Sequence, residues 1–305
     1  MKIAVMGAGA VGCYYGALLA RAGHDVVLVG RRPLVDAVRD HGLHLESAAF
    51  QGFVALRASA DASAVAGAGI VLFCVKSTDT ESAGHAISPH LGPGVRVLSL
   101  QNGADNASRL QQILGRKVEP AVVYVAAEMR GPGRVKHHGR GELVVSPGAL
   151  QDAEFRQFIE AGIPIQASDN VPLALWSKLV LNCAYNALSA IARVPYGRLA
   201  AGDGVLDVMR TVVDECIAVA RLDGVVIPGT IWDDVLRIAR TMPSQFSSTA
   251  QDIMRGKRSE IDHLNGYVVR RGAAGGVAAP VNAALYAIVK LLESGGTSTA
   301  APTAG

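Results

Sequence analysis

Short, wholly apolar runs alternate with helical patterns through the first half of the chain. Lys2 to Met6 reads as a strand, and a helical pattern follows from Tyr14 to Arg21. A second strand pattern covers His24 to Val29, and two more cover Ile70 to Val75 and Val95 to Leu100. Continuous apolar runs suit parallel strands covered on both faces. Pro120 to Glu128 and Gly141 to Ser146 read as later strands of the same sheet. Strands alternating with helices predict an α/β Rossmann fold, a doubly wound and mostly parallel sheet.

From about residue 170 the texture changes. Asn170 and Pro172 open a long helical stretch, Pro being suited to a first helical turn. Helical periodicity then continues to Glu293, broken at Pro195, Gly202, Pro228, Pro243 and Pro280, with no strand pattern. The expected division is a Rossmann domain over 1–169, an all-α domain over 170–293 and a flexible tail of small residues over 294–305.

Two stretches imitate other signals. The first 22 residues resemble a secretion signal, but glycine spacing inside the run explains them better. The apolar run Ala64 to Val75 ends at Lys76 and falls short of the about 20 residues that a spanning helix needs. It reads as a helix end followed by a buried strand.

Composition narrows the class further. Half of the 305 residues are hydrophobic and 18% are charged, enough for a large core. A net charge of +3 argues for neither a nucleic acid nor a membrane partner. Cys13, Cys74, Cys183 and Cys216 form no CxxC pair and read as reduced thiols, which suits a cytoplasmic protein. His137-His138 lacks a third ligand at metal spacing, so no metal site is expected.

Gly7-Ala8-Gly9-Ala10-Val11-Gly12 follows the first strand and opens a helix. In a dinucleotide site the first glycine permits the tight turn and the second lets backbone approach a pyrophosphate. The third lets helix and strand pack closely. The helix N-terminus then offers free N–H groups to the phosphates. The second strand ends in Val29-Gly30-Arg31-Arg32, without the acid that holds a ribose 2′-OH in NAD sites. The guanidinium groups of Arg31 and Arg32 suit a 2′-phosphate and so NADP(H), with Arg31 the candidate contact; the plain alternative is that both are solvated loop charges. Lys76 and Asn102 end two further strand patterns, where ligands sit in open α/β sheets. The plain alternatives are a solvated strand end for Lys76 and an Asn-Gly turn for Asn102.

Lys178, Asn182 and Asn186 are spaced i, i+4, i+8 on an otherwise apolar helix. Such a stripe is either a satisfied structural network or the wall of a polar cleft. Ser248-x-x-Gln251 fits a capping box for a following helix, and a helix N-terminus also favours a substrate carboxylate. Glu260 lies in phase with Ile253, Leu264 and Tyr267, which places it on the apolar stripe of that helix. A carboxylate there needs a facing cation, for which Lys178 is the candidate.

Together these residues resemble the ketopantoate reductase family (2-dehydropantoate 2-reductases) from Met1 to about Glu293. The markers are the glycine turn, Val75-Lys76, Gln101-Asn102-Gly103, Lys178-x3-Asn182-x3-Asn186, Ser248-x2-Gln251-Asp252 and Glu260-Ile261-Asp262-x2-Asn265-Gly266. The resemblance implies a Rossmann domain joined to a helical domain, with the active site in the cleft between them. It implies NADPH-dependent reduction of ketopantoate to pantoate, a step of pantothenate and coenzyme A biosynthesis. By the same resemblance Lys178 is the general acid and Glu260 orients it. Asn182 and Asn186 bind substrate polar groups, Ser248 binds its carboxylate, and Asn102 lies near the nicotinamide ribose and substrate. Lys76 helps position cofactor or substrate.

One departure bears on the substrate. Many family members carry Pro-Asn-Gly after the lysine helix, and this chain has Pro195-Tyr196-Gly197. Tyr196 still offers a hydroxyl to substrate on a bulkier side chain, which leaves another 2-oxo acid open. Competing readings are a 3-hydroxyacid or opine-type dehydrogenase and a non-catalytic NADP-binding sensor; the retained Lys178 and Glu260 speak against the sensor. The apolar helical domain fits either a homodimer face or internal core.

Overall fold

The computed structural model describes residues 1–295. It divides into two units, Met1–Val171 and the chain from Pro172 onward. In the first unit the chain runs β1 (Lys2–Met6), α1 (Ala10–Arg21), β2 (Asp25–Val29), α2 (Arg32–His41), β3 (Leu43–Glu46), β4 (Gln51–Val54), β5 (Arg57–Ser59), β6 (Ile70–Phe73) and α3 (Thr80–Ile87). It continues as β7 (Arg96–Ser99), α4 (Asn106–Leu114), β8 (Glu119–Gly131), β9 (Arg134–Val145), α5 (Asp152–Glu160) and β10 (Ile165–Ala167).

The strands stand in the order β4-β3-β9-β8-β7-β6-β1-β2-β5, with β10 paired to β9. The segment β5-β2-β1-β6-β7-β8 is parallel throughout and reproduces the doubly wound order. The order reverses at β1, so the carboxyl ends of β1 and β6 flank the crevice where such sheets bind ligands. The continuous apolar runs are covered on both faces. Ile3 and Val5 pack with Cys13, Tyr15 and Leu19 of α1, while Ala4 packs with Phe73, Ile87 and Leu110 on the other side.

Several details depart from the sequence pattern. The strand expected to reach Val75 ends at Phe73, because Cys74 and Val75 turn over Gly7. The helix end expected near Ala64 is a 3₁₀ turn, Ala62–Val65, whose Ser63 N–H donates to Asp61 Oδ1 at 2.8 Å. β8 and β9 form one long antiparallel hairpin with three register shifts. Gly139, Arg140 and Gly141 all adopt positive φ there, and such bulges erase the alternation that marks a hairpin in sequence.

The second unit is helical, with no strand among its described residues. It comprises α6 (Val171–Ala192), α7 (Tyr196–Ala200), α8 (Val205–Ala220), α9 (Ile231–Thr241), α10 (Ser248–Met254), α11 (Asn265–Ala274) and α12 (Pro280–Gly295). Glu260 is not on a helical stripe, contrary to the sequence expectation. α10 stops at Met254, Gly256 takes φ +63°, and Glu260 heads a 3₁₀ turn over Ile261–His263. Of the tail expected over 294–305, Ser294 and Gly295 complete α12, and Ser294 Oγ donates to Leu291 O at 2.9 Å. Residues 296–305 lie outside the described residues. No helix among the described residues is long and apolar enough to cross a membrane.

Candidate functional site

The three turn glycines meet three different surroundings. Gly7 sits at φ +105°, and a Cβ there would stand 2.5 Å from Val75 N and 2.6 Å from the Cys74 carbonyl carbon. The turn is fixed by the Gly7 and Ala8 N–H groups, which both donate to Val29 O at 3.0 Å. A Cβ on Gly12 would collide with the Gly7 carbonyl oxygen and stand 2.8 Å from Val5 Cγ1, so helix and strand close on each other. Gly9 instead faces open space, with nothing within 4 Å of its Cβ position. It is the N-cap of α1 in an extended conformation, and neither a capping side chain nor a first-turn acid competes for the helix end. The N–H groups of Ala10, Val11 and Gly12 begin the helix without intrahelical acceptors. An open, donor-lined hollow at a helix N-terminus fits a phosphate group.

Gly30 follows β2. Its N–H donates to Ser59 O at 3.0 Å, and a Cβ on it would stand 2.7 Å from the Ala8 side chain. This glycine is one the sequence pattern did not single out. Arg31 then caps α2 and Arg32 is its first residue, both exposed. Among the described residues neither guanidinium makes an ion pair.

Lys76 and Asn102 stand on loops that one buried polar network ties together. Ser77 Oγ donates to Asn102 O at 3.0 Å, and Asn106 Nδ2 donates to Ser77 Oγ at 3.0 Å and to Asn102 O at 2.5 Å. Gln101 Nε2 reaches Val75 O at 3.2 Å and Thr80 Oγ1 at 2.8 Å. Arg109 closes the edge, donating to Ser77 O at 3.1 Å and to both oxygens of Glu81. A satisfied buried network rigidifies what it joins, so these loops behave as one piece. The Asn102-x3-Asn106 spacing into a helix was the available sequence signal.

In the second unit, α6 carries Lys178 and Asn182, both half-buried, and Asn186, 3% exposed. Asn186 is brought to Ser248: its Nδ2 donates to Ser248 Oγ at 3.5 Å. The cap of α10 is Ser247 and not Ser248, which corrects the capping box expected at Ser248-x-x-Gln251. Ser247 Oγ accepts from Ala250 N at 3.0 Å and donates to Asn186 O at 3.2 Å. Ser248 is therefore exposed at the head of α10, relieved of the capping role. Tyr196 is held nearby in the chain fold, its N–H on Gln245 O at 2.9 Å. Its ring packs on Tyr185 with centroids 4.6 Å apart. Burial, with the neighbouring Tyr185, pushes its phenol well up, so it stays neutral.

α6 is anchored to α11 in two places. Asp223 accepts from Trp176 Nε1 at 3.2 Å and Tyr267 OH at 3.0 Å, and pairs with Arg271 Nε at 2.6 Å. Asn265 Nδ2 donates to Cys183 O at 3.2 Å. Neither Asp223 nor Asn265 had a reading as an anchor in sequence, because their partners lie 47 and 82 residues away. Glu260, half-buried, stands on the loop just before α11. The two histidines set aside as metal ligands are engaged in the hairpin, His137 on Arg140 O and His138 on Glu128, each at 2.8 Å.

Comparison with known proteins follows this division. Residues 3–149 match the model for ketopantoate reductase PanE/ApbA, and residues 170–293 match the model for its C-terminal part. The 2-dehydropantoate 2-reductase of Pyrococcus horikoshii is 31% identical over 302 residues, covering 96% of this chain and 98% of the relative. That of Caulobacter vibrioides is 33% identical, covering 94% and 98%. A crystal structure of a PanE/ApbA family ketopantoate reductase from Ralstonia eutropha superimposes with a TM-score of 0.95 at 57% identity, covering 98% of this chain and all of that one. With both halves matched and relatives aligned nearly end to end, the chain belongs to the ketopantoate reductase PanE/ApbA family.

Proposed function

We propose that this protein is an NADPH-dependent 2-dehydropantoate 2-reductase, converting ketopantoate to pantoate in the pathway to pantothenate and coenzyme A. The observation that supports it most is the open hollow at Gly9 on a chain whose relatives over both units are 2-dehydropantoate 2-reductases. The glycine turn would hold the pyrophosphate, through Gly7, Ala8, Gly9, Ala10, Val11 and Gly12. Lys76 and Asn102 would bound the nicotinamide side. The exposed Arg31, with no acid at the end of β2, favours the 2′-phosphate of NADP over NAD.

When bound, the reduced nicotinamide supplies hydride to the carbonyl carbon of the 2-oxo acid. The carbonyl oxygen then gathers negative charge and requires a proton. In this reading Lys178 Nζ gives that proton and the product is the 2-hydroxy acid. Glu260 keeps Lys178 protonated and oriented, as a nearby carboxylate does for an ammonium. Asn182 and Asn186 hold the substrate's polar groups, and Ser248 takes its carboxylate at the head of α10. The engagement of Asn186 with Ser248 favours one continuous polar wall. The free cysteines suit a reducing compartment, in keeping with a cytoplasmic enzyme.

Tyr196 favours a second reading, reduction of a different 2-oxo acid, because its ring occupies the turn where many relatives carry Asn. Lys178→Ala tests the mechanism. Oxidation of NADPH with ketopantoate should fall about 10²–10⁴-fold in kcat, with NADPH binding retained. Unchanged turnover removes Lys178 as the acid. Turnover of a panel of other 2-oxo acids, with none of ketopantoate, selects the second reading.

A further inference from the structure

Glu260 stands on a loop with no helix of its own, yet the residues on either side of it are gripped by one face of α12. Ser259 is fully buried and gives both its backbone N–H and its hydroxyl to Glu293 Oε1, at 2.8 and 2.7 Å. The same hydroxyl accepts the Ile261 N–H at 3.2 Å, folding the chain around Glu260. Beyond it, Asp262 accepts from Tyr286 OH at 2.7 Å and from Lys290 Nζ at 2.9 Å. Lys290 also donates to Glu293 Oε2 at 2.8 Å. Tyr286, Lys290 and Glu293 lie at i, i+4 and i+7, so a single helical face supplies all three grips.

The arrangement is costly unless it is complete. Glu293 is a nearly buried carboxylate, its side chain 9% exposed, and such a group persists only with its oxygens satisfied. Here two donors from Ser259 and one from Lys290 satisfy it. Burial pushes its pKa up, but the hydrogen bonds from Lys290 and Ser259 outweigh burial and hold that pKa below the usual carboxylate range. A completed buried network fixes geometry in a way that a surface loop cannot.

We infer that Glu293 is a positioning residue of the reductase: by clamping Ser259 to α12, with Lys290 securing Asp262, it sets the backbone from which Glu260 reaches its partner. The inference rests on the proposed role of Glu260 toward Lys178. Glu293 touches no reacting group in this account and acts only through the loop.

A mutant cycle in the full chain tests it, using NADPH oxidation with ketopantoate. Glu293→Ala should lower kcat on the order of 10- to 100-fold with KM for NADPH unchanged, the scale of a small misplacement at a reacting centre. The double variant Glu260→Gln with Glu293→Ala should be no slower than Glu260→Gln alone, since nothing is left to position. Glu293→Gln keeps an acceptor for Ser259 and should recover most of the loss. Independently of turnover, amide exchange over 258–262 should quicken in Glu293→Ala and not in Glu293→Gln. Wild-type kcat in Glu293→Ala, or losses that multiply in the double variant, overturns the inference while leaving Glu260 in place. Normal turnover by Glu260→Gln overturns the role of Glu260 and this inference together. Should Glu293→Ala fail to fold, Ser259→Ala keeps the backbone N–H on Glu293, removes only the hydroxyl with its bonds to Glu293 and the Ile261 N–H, and enters the same cycle with the same criteria.

Discussion

Gly9 and Gly12 are three residues apart in one turn, and replacing each with alanine should give opposite failures. At Gly12 a methyl would collide with the Gly7 carbonyl oxygen and stand 2.8 Å from Val5 Cγ1, with strand and helix both buried. Overpacking of this kind costs about 1–3 kcal/mol. At about 2–4 °C per kcal/mol for a chain near this size, the unfolding midpoint of Gly12→Ala should fall by up to about 12 °C. At Gly9 the backbone is already extended, φ −86° and ψ −167°, and the methyl meets nothing within 4 Å. Gly9→Ala should therefore keep its midpoint or gain slightly, as alanine restricts the unfolded chain by about 0.4–1 kcal/mol. Its methyl enters the space where a pyrophosphate would approach. Losing two charge-assisted bonds, each about 1.5–3 kcal/mol, amounts to a loss of at least about 10²-fold in NADPH affinity. Thermal unfolding without cofactor and fluorescence titration with NADPH read the two effects separately. Wild-type affinity in Gly9→Ala would refute the assignment of this hollow to phosphate.

Two further outcomes follow from named groups. Arg31→Ala should weaken NADPH about 10- to 100-fold in a binding titration while leaving NADH affinity and the unfolding midpoint unchanged; equal losses for both cofactors would remove Arg31 from the 2′-phosphate. Asp262 is pushed up by burial, but Tyr286, Lys290 and Arg258 together carry it from 3.8 down to about 2. A depressed carboxyl stabilises the fold fully above about pH 4 and loses that contribution as pH falls toward 2. The midpoint of the wild type should drop more steeply than that of Asp262→Asn across this window, and parallel slopes would contradict the pairing.

The sheet was legible because its strands are apolar on both sides. Ile3, Ala4 and Val5 need no alternation to be read, since each face has its own helices. The short strands β3, β4, β5 and β10 span four residues or fewer, too few positions for a periodicity to emerge. At the candidate site the glycine turn and the α6 stripe were visible because their residues are close in sequence. Ser247 and Ser248 could not be told apart, since either serine places a hydroxyl before α10; only the fold shows which one reaches Ala250 N. The spacing of Glu260 fits a helix, yet α10 ends at Met254 and Gly256, at φ +63°, turns the chain out of it. The grip of α12 on that loop joins residues more than 20 apart, beyond any local pattern.

Arg31 heads a helix without capping it by its side chain, projects into solvent, and lies outside both cores of the sheet. Replacing it leaves both cores untouched, whereas Gly7, Gly12 and Gly30 are walled in by neighbours. If Arg31 holds the 2′-phosphate as proposed, coenzyme preference would be free to drift in descendants of this chain through one codon, at little cost to the fold. The turn that would hold the half common to both coenzymes is fixed by packing at Gly7 and Gly12.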